Sequence, residues 1–303
     1  MTRADDQKGI ILLMVMLVVL IGMLLLAGVM QNSLLVHYSL RHHRQQMNQR
    51  WALLSAESVI AQRLRAQLAQ HHSQLITGAL AATGATQDSS GQAIRYQVKD
   101  LSGCFNLNWL LIEAKKFDRI GVRKNIARDW IDAVLAKQGF SPLPSQDALK
   151  TRLNGAEFSD ISQLSQLPLP AAERAFLQRI SCVWPIFSLS ETSDVFKINI
   201  NAITRETLPL LAEVLHITDK QAPLESLLRS RPATGWRGVK ELPPALAHDN
   251  RYLNFGSHHY LLTLTLSSDG HNLGLATLLY FYQGQALVYR RRYFIDSGER
   301  DVL

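Results

Sequence analysis

The sequence lacks the patterns that catalysis and metal binding leave in a chain. Its 303 residues contain two cysteines, and neither lies in a Cys-x-x-Cys or Cys/His spacing typical of a zinc site. It has no Gly-x-Ser-x-Gly, no His-Glu-x-x-His, no P-loop and no Gly-x-Gly-x-x-Gly. Its three adjacent histidine pairs, at 42–43, 71–72 and 258–259, indicate exposed polar surface. These absences argue against an enzyme.

Charged residues are also scarce, at 19% against 47% hydrophobic residues, which excludes a disordered chain. The formal net charge is +7, but the basic residues are spread along the sequence. No basic stripe interleaved with aromatic residues appears, so composition does not predict nucleic-acid binding.

The longest stretch without charge lies near the N-terminus. The 21 residues from Ile10 to Met30 carry no charged or polar side chain. A helix of that length spans a bilayer core of roughly 30 Å. Arg3 and Lys8 precede it but are balanced by acids, so charge alone leaves the orientation ambiguous. A plain signal anchor therefore stays as an alternative.

Proline and glycine are absent between Gln31 and Leu75, which predicts that the same helix continues to about residue 76. Its second half is amphipathic, because apolar residues recur at helical spacing. A one-sided stripe needs a partner, so we expect this half to pack on the domain that follows. The stripe comprises Met47, Trp51, Leu54, Ile60, Leu64 and Leu68.

The remaining chain predicts one sheet interrupted by a helical region. Residues 77–91 suggest a loop, and residues 93–100 alternate as a half-buried strand. Residues 259–294 form three alternating segments with turn signals at Asp269-Gly270 and Gly284. Together these strands predict an antiparallel sheet. Residues 110–254 are mostly helical, and Asn106 and Asn108 before them are expected to serve backbone hydrogen bonds.

Within the helical region, helices are expected over residues 121–138, in two short pieces around Pro168 and Pro170, and over residues 202–215, where Thr204 is the candidate N-cap. Residues 219–232 and 238–246 indicate two more helical pieces. The basic run Arg290–Arg292 is expected to protect an edge strand.

The charged leader, Lys8-Gly9 and the apolar start of a long helix resemble a type IV prepilin. The order of all segments, including Phe105-Asn-Leu-Asn108, resembles the minor pseudopilin K family of type II secretion. The resemblance implies an α+β fold with a type IV pilin-like long N-terminal helix packed on an antiparallel sheet and a large inserted all-α domain. It divides the chain into a leader (1–9), a transmembrane half-helix (10–32), a pilin-like domain (33–110 and 255–303) and the insert (111–254).

The same resemblance implies a structural subunit with no reaction of its own. Prepilin peptidase would cut after Gly9, and Ile10 would become the methylated N-terminus. Most members carry a glutamate where this chain has Met14, and its absence resembles a subunit that caps the pseudopilus tip and helps start assembly for export across the outer membrane. Its partners would be other minor pseudopilins, reached through the N-terminal helix and the pilin domain. It would cross the inner membrane once, with its C-terminal domain in the periplasm.

A periplasmic location, which is oxidising, implies a disulfide between Cys104 and Cys182. The family's helical domain also resembles a calcium-binding one, and Asp132 and Glu157 match part of its pattern. However, Phe158 replaces the usual Asp and few acids lie between them, while calcium takes six or more oxygen ligands. No cofactor is certain, and calcium is the only metal that the resemblance suggests.

A different class of function also fits part of the sequence. The run from Ile200 to Leu242 resembles a helix-hairpin-helix module, which often binds DNA. Such a hairpin needs a Gly-x-Gly pair whose N–H groups face a phosphate, whereas this chain has no glycine pair there and carries Asp219. The alternative is a bitopic inner-membrane protein with a periplasmic domain that binds DNA or cell wall, although no nucleic acid is expected.

Overall fold

The computed structural model describes residues 3–70, 83–88, 90–112, 125–186, 195–217, 221–243, 250–268, 271–282 and 285–296. The chain forms two compact units, residues 1–54 and 55–303. The predicted turns at Asp269-Gly270 and Gly284 and the pair His71-His72 lie outside the described residues. The helices are α1 (Arg3–Gln70), α2 (Ile126–Lys137), α3 (Gln146–Arg152), α4 (Ala171–Ile180), α5 (Leu208–Val214) and α6 (Gln221–Ser230). The strands are β1 (Thr83–Gln87), β2 (Ala93–Asp100), β3 (Phe105–Asn106), β4 (Ser181–Cys182), β5 (Ile198–Asn199), β6 (Leu253–Asn254), β7 (His259–Ser268), β8 (His271–Tyr282) and β9 (Gln285–Asp296).

Helix α1 is a single helix of 68 residues, as the lack of glycine and proline after residue 30 predicts. Within the described chain it is the one helix long and apolar enough to cross a membrane, with a mean hydropathy of 3.0 over its best window. The predicted stripe divides into two parts. Ile60, Leu64 and Leu68 are buried, whereas Met47 and Trp51 are about half exposed or more, at 49% and 61%. The expectation that Met47 and Trp51 would be covered is therefore wrong for this chain.

Five strands form one antiparallel sheet in the order β1-β2-β7-β8-β9. The long strands β2, β7, β8 and β9 confirm the sequence prediction. Strand β1 does not, because residues 83–87 were expected in a loop. Asp88 closes the β1–β2 hairpin by accepting hydrogen bonds from the amides of Ser90 and Gln92. Gly84 admits the ring of Tyr96, since a Cβ at this position would lie 2.5 Å from that ring.

The two faces of the sheet are covered by different parts of the chain. Residues paired directly across strands share a face. One such row, Val98–Leu262–Thr277–Arg291, faces α1. The adjacent row, Lys99–Leu261–Leu278–Arg290, faces the insert, where Leu278 belongs to the insert's own apolar core. The sheet is therefore buried between the long helix and the inserted domain.

Glu57 and Arg291 join α1 to the edge strand β9. The Glu57 carboxylate, with 4% of its side chain exposed, accepts two hydrogen bonds from the Arg291 guanidinium at 2.8 and 3.0 Å. Glu57 lies three residues before Ile60 and so shares the buried face of α1. On the other face, Arg292 pairs with Asp160 of the insert at 3.0 Å. Strand β9 lies at the edge of the sheet, as expected for the basic run, and Arg291 and Arg292 on it also form ion pairs within the fold.

We predict that the two members of the Glu57–Arg291 pair are unequal. Arg291→Gln leaves a buried carboxylate without its cation and should lower the free energy of unfolding by about 2 kcal/mol. Glu57→Gln leaves an arginine that is 47% exposed and open to water, so it should cost only about 1 kcal/mol. Urea unfolding of both full-length variants measures the difference. Equal costs, or a larger cost for Glu57→Gln, would contradict a pair anchored by burial of the acid.

The insert follows its predicted helical pattern with one shift. Helices α2, α4 and α6 and the turn at 161–166 occupy the expected segments. Thr204 was expected to cap the helix before residue 214, and this is wrong. Helix α5 begins at Leu208, after a turn in which the Thr207 hydroxyl accepts a hydrogen bond from the amide of Thr204. Pro209 sits in the first turn of α5, where it costs no hydrogen bond.

Candidate functional site

The N-terminal site residues lie on α1. Gly9 and Ile10 are both within the helix, which runs without interruption from Arg3. Met14 is 64% exposed and is surrounded in sequence by other exposed apolar side chains. Met14 therefore belongs to an apolar helical surface that requires a non-aqueous or protein environment. The structure does not test cleavage after Gly9 or methylation of Ile10, so both stay predictions.

Two asparagines form a clamp that starts the insert. Asn106 and Asn108 are fully buried. The Asn108 amide donates to the carbonyls of Phe158 and Trp184, both at 3.0 Å, and its oxygen accepts from the Phe158 amide at 2.7 Å. Asn106 donates to Trp184 O and caps the short helix 107–111 through the Asn108 amide. One pair of side chains thus satisfies backbone groups of two distant segments and of the adjacent turn, which confirms the structural role expected from the sequence.

A second clamp repeats this arrangement 93 residues later. The Asn201 amide donates to the carbonyls of Trp236 and Phe255, and its oxygen accepts from the Trp236 amide at 2.8 Å. Asn199 caps the turn at 200–202 as Asn106 caps its own. Each clamp also follows a short parallel strand pair, β3 with β4 and β5 with β6. The insert is therefore built twice on one plan, which the shared Asn-x-Asn spacing could have revealed.

The cysteines join the first clamp to the sheet. Cys104 and Cys182 form a disulfide with an S–S distance of 2.03 Å across 78 residues. Cys182 lies on β4, which pairs with β3 directly after Cys104. Both residues are buried within the apolar core of the insert. The bond therefore fixes the point at which the chain leaves β2 and enters the insert.

His259 corrects the expectation that all three histidine pairs are exposed. It is only 7% exposed and stacks on Trp184 with ring centroids 4.0 Å apart. Burial lowers the pKa of His259 to about 3, so this ring is neutral at physiological pH. Trp184 also carries the carbonyl held by the first clamp, so His259 links β7 to that clamp. The alternation of apolar residues in β7 places His259 on the face opposite Leu262 and Leu264, so the sequence pattern does not mark it as buried.

Asp100 joins the sheet to the second clamp. Its carboxylate accepts hydrogen bonds from the Ser257 hydroxyl and from the Ser102 amide. The Asn199 side chain donates to the same Ser257 hydroxyl at 2.5 Å. Gly103 allows this close approach, because a Cβ there would lie 2.3 Å from the carbonyl oxygen of Ala202. The sequence does not mark this junction, because Asp100 and Ser257 lie 157 residues apart.

The pH dependence of stability should report this junction. Burial raises the pKa of Asp100 above its ordinary value of 3.8. The folded state then retains the proton to higher pH than the unfolded state, so stability present below about pH 4 is lost as pH rises through the folded pKa. Asp100→Asn should therefore gain stability relative to the wild type between pH 4 and pH 7. Unfolding measured at several pH values tests this, and a difference that does not change with pH would contradict it.

The two calcium candidates already have protein partners. Asp132 pairs with Arg128 at 2.8 Å and accepts a hydrogen bond from the Leu143 amide. Glu157 accepts one from the Ile186 amide at 3.1 Å. No group of three His, Cys, Asp or Glu side chains lies together among the described residues. These two residues do not fit a calcium site with the neighbours they have, and calcium binding stays a prediction from the resemblance.

The helix-hairpin-helix resemblance corresponds to α5 and α6. Asp219 and the rest of the hairpin tip, residues 218–220, lie outside the described residues. Arg231, after α6, does not point to a phosphate-binding role, because its guanidinium donates to the carbonyls of Asn201 and Ile203. These hydrogen bonds stabilise the second clamp.

Comparison with known proteins bears on the two classes of function that the sequence suggested, a pseudopilin and a protein with a helix-hairpin-helix-like binding domain. No protein-family model matches the chain. A curated Escherichia coli K12 protein named type II secretion system protein K is 26% identical over 252 residues, which cover 68% of this chain and 72% of that protein. The chain is therefore similar to a type II secretion system protein K. The crystal structure of the GspK-GspI-GspJ complex from enterotoxigenic Escherichia coli contains a chain of the same fold.

The structural match covers most of this chain. It has a TM-score of 0.64 and 18% identity, and it covers 84% of this chain and 99% of the other. The long helix, the antiparallel sheet and the inserted helices therefore form the α+β fold expected from the pseudopilin resemblance. That expectation is confirmed.

Proposed function

We propose that this chain is a minor pseudopilin of a type II secretion system that caps the pseudopilus tip and helps start its assembly. The observation that carries the proposal is the fold match, over 84% of this chain, to a chain of the GspK-GspI-GspJ complex. By analogy with that complex, the partners are two other minor pseudopilins. The chain itself supplies scaffold surfaces and no reaction.

The apolar part of α1 supports anchoring in the inner membrane by a single helix. Its best window has a mean hydropathy of 3.0. The residues from Leu12 to Met30 are exposed, except for the half-buried Gly22 near the centre. In this proposal the sheet and the insert lie in the periplasm. The Cys104–Cys182 disulfide supports that side of the membrane, because structural disulfides persist in oxidising compartments.

The position of the insert supports a place at the tip. The insert covers the face of the sheet opposite α1. In a filament shaft, where subunits pack side by side, this added volume would clash with neighbouring subunits. Met14 supports the same place. A glutamate there would be stabilised in the membrane only by a partner charge, which the family finds on the subunit ahead. A subunit with no other subunit ahead of it has no partner charge to stabilise such a carboxylate.

Processing tests the class directly. The full chain is produced with and without a prepilin peptidase, extracted from membranes, and measured by intact mass and N-terminal sequencing. We expect loss of residues 1–9 and methylation of Ile10 only when the peptidase is present. Gly9→Val is the control that should remain uncut. An uncut wild-type chain under both conditions would contradict the processing site and favour a plain signal anchor.

The tip placement has its own prediction. Met14→Glu places an unpaired carboxylate in the hydrocarbon region, at a cost of several kcal/mol. We expect lower secretion and less complex with the two partner pseudopilins than with Met14→Gln, which is similar in size but uncharged. Normal secretion and unaltered complexes in Met14→Glu would contradict the tip argument while leaving the pseudopilin class intact.

A further inference from the structure

A cationic segment of α1 follows the apolar part of the helix. No aspartate or glutamate occurs in residues 7–56, whereas Arg41 and Arg44 are both exposed. An arginine on a helix can pair with an acid three or four residues away, and neither arginine has one at those positions. The first acid after this segment is Glu57, which pairs with Arg291. The helix therefore does not neutralise these two cations itself.

The two arginines lie where α1 leaves the bilayer in the proposed anchor. The uncharged run ends at Met30 and residues 34–36 are again apolar, so the hydrocarbon boundary lies between residues 30 and 36. At about 1.5 Å per residue, Arg41 is roughly 8–16 Å beyond this boundary. The headgroup layer is about 5–8 Å thick, and charges act over about another 8 Å at physiological salt. Side chains on a helix point toward its N-terminus, so Arg41 and Arg44 are directed at the headgroups.

His37 and Tyr38 complete this surface. His37, Arg41 and Arg44 share one face of α1, because they lie four and three residues apart. Tyr38 lies beside them and is 79% exposed, and tyrosine is enriched at membrane–water interfaces. Guanidinium groups bind phosphate through paired, charge-assisted hydrogen bonds. These four exposed residues, His37, Tyr38, Arg41 and Arg44, are here called the juxtamembrane belt.

The topology of the chain does not explain the charge of the belt. Before the apolar run, Arg3 and Lys8 are balanced by two acids, so the excess of cations lies after the run. Arginine and lysine beside a membrane span favour the cytoplasmic side, whereas the disulfide supports a periplasmic location for the residues that follow. The belt therefore lies on the side that its charge disfavours. Attraction to an anionic membrane surface gives these cations a role on that side.

We propose that the juxtamembrane belt binds the phosphate groups of anionic phospholipids in the periplasmic leaflet of the inner membrane. This inference rests on the single-helix anchor proposed above. It goes further, because an anchor needs only the apolar run, whereas the belt selects lipids by charge and fixes the depth of α1. An acidic face of a partner protein is the competing occupant, and the position of the belt beside the span favours lipid.

Spin-labelled lipids test the selectivity of the belt. The full chain is reconstituted in phosphatidylcholine vesicles with a trace of spin-labelled phosphatidylglycerol or phosphatidylcholine. The motionally restricted fraction of the label gives the association of each lipid with the protein. One arginine near an anionic surface strengthens association about fivefold, so we expect phosphatidylglycerol to associate at least about fivefold more strongly. Salt at about 1 M should reduce this preference, because it screens exposed charges.

Paired substitutions on α1 locate the effect. Arg41→Gln/Arg44→Gln should lower the preference for phosphatidylglycerol at least about fivefold. Arg63→Gln/Arg65→Gln is the matched control, because it removes the same charge from two exposed residues of α1 that lie about 50 Å beyond Met30. This control should keep the preference of the wild type. Unchanged helix content by circular dichroism confirms that both variants are folded.

The outcomes separate the belt from the anchor. A wild-type chain that co-floats with the vesicles but associates equally with both lipids would overturn this proposal and leave the anchor intact. A chain that does not co-float would overturn the anchor and the belt together. Equal lipid association, with loss of the partner pseudopilins from Arg41→Gln/Arg44→Gln, would assign the belt to an acidic protein face. An equal loss of preference in Arg63→Gln/Arg65→Gln would show an effect of total charge and contradict the belt.

Discussion

Replacing both cysteines by alanine should lower the free energy of unfolding by roughly 4 kcal/mol. The Cys104–Cys182 bond closes a loop across 78 residues, and the chain-entropy model assigns a cross-link of that length about this value. The loop contains Phe158, one of the two residues whose carbonyls the first clamp holds, and without the bond the unfolded chain regains the freedom of about half the insert. Urea unfolding of the full chain, followed through its tryptophans, measures the loss.

A reducing agent supplies the control. It should destabilise the wild type by about the same amount and leave the Cys104→Ala/Cys182→Ala variant unchanged. A single Cys104→Ala variant should resemble the double variant, because either substitution abolishes the bond. If reduction leaves the wild type as stable as before, the disulfide contributes nothing to folding, and its support for a periplasmic location is lost.

Asn108→Ala should cost about 3–5 kcal/mol. The side chain is fully buried and makes three hydrogen bonds to backbone groups of Phe158 and Trp184. Removing it leaves the carbonyl and the amide of Phe158 buried without this partner, at about 1–3 kcal/mol for each unsatisfied group, while Asn106 still donates to the Trp184 carbonyl. Partial relaxation keeps the total below the sum. Equilibrium unfolding of the full chain measures the effect.

Asn201→Ala is the matched comparison, because Asn201 makes the same three kinds of bond in the second clamp. Asn201 is only partly buried, so water can reach the groups that it leaves. We expect a smaller cost, about 1–2 kcal/mol. If Asn201→Ala proved as costly as Asn108→Ala, burial would not be what makes the first clamp strong. An Asn108→Ala variant as stable as the wild type would contradict the clamp itself.

Local periodicity predicted most elements of the fold. Alternation in residues 93–100 and 259–294 reports which side of a strand is buried, so these strands could be assigned without the structure. The same reasoning missed β1, because Thr, Gly and Ala at 83–87 carry no alternation. This strand forms because its backbone pairs with β2 and its glycine admits Tyr96.

The candidate site was less predictable than the fold. The asparagines were correctly expected to bond backbone, since Asn at that spacing commonly does so. Their partners at 158 and 184 could not be read from the sequence, because nothing local marks a distant carbonyl. His259 and the arginines of β9 were assigned to the surface for the same reason. A polar side chain is buried when a partner reaches it, and the partner is a property of the fold.

The sequence by itself determined the long helix, its apolar first half, the strand pattern and the resemblance to the pseudopilins. These features depend on neighbours three or four residues apart in a helix, or two apart in a strand, and such spacings are visible in the chain. Only the tertiary structure decided that the insert covers the second face of the sheet. It also decided that Glu57 meets Arg291 and that Asp100 meets Ser257 at the second clamp. These pairs lie 234 and 157 positions apart in the sequence, and packing brings them together.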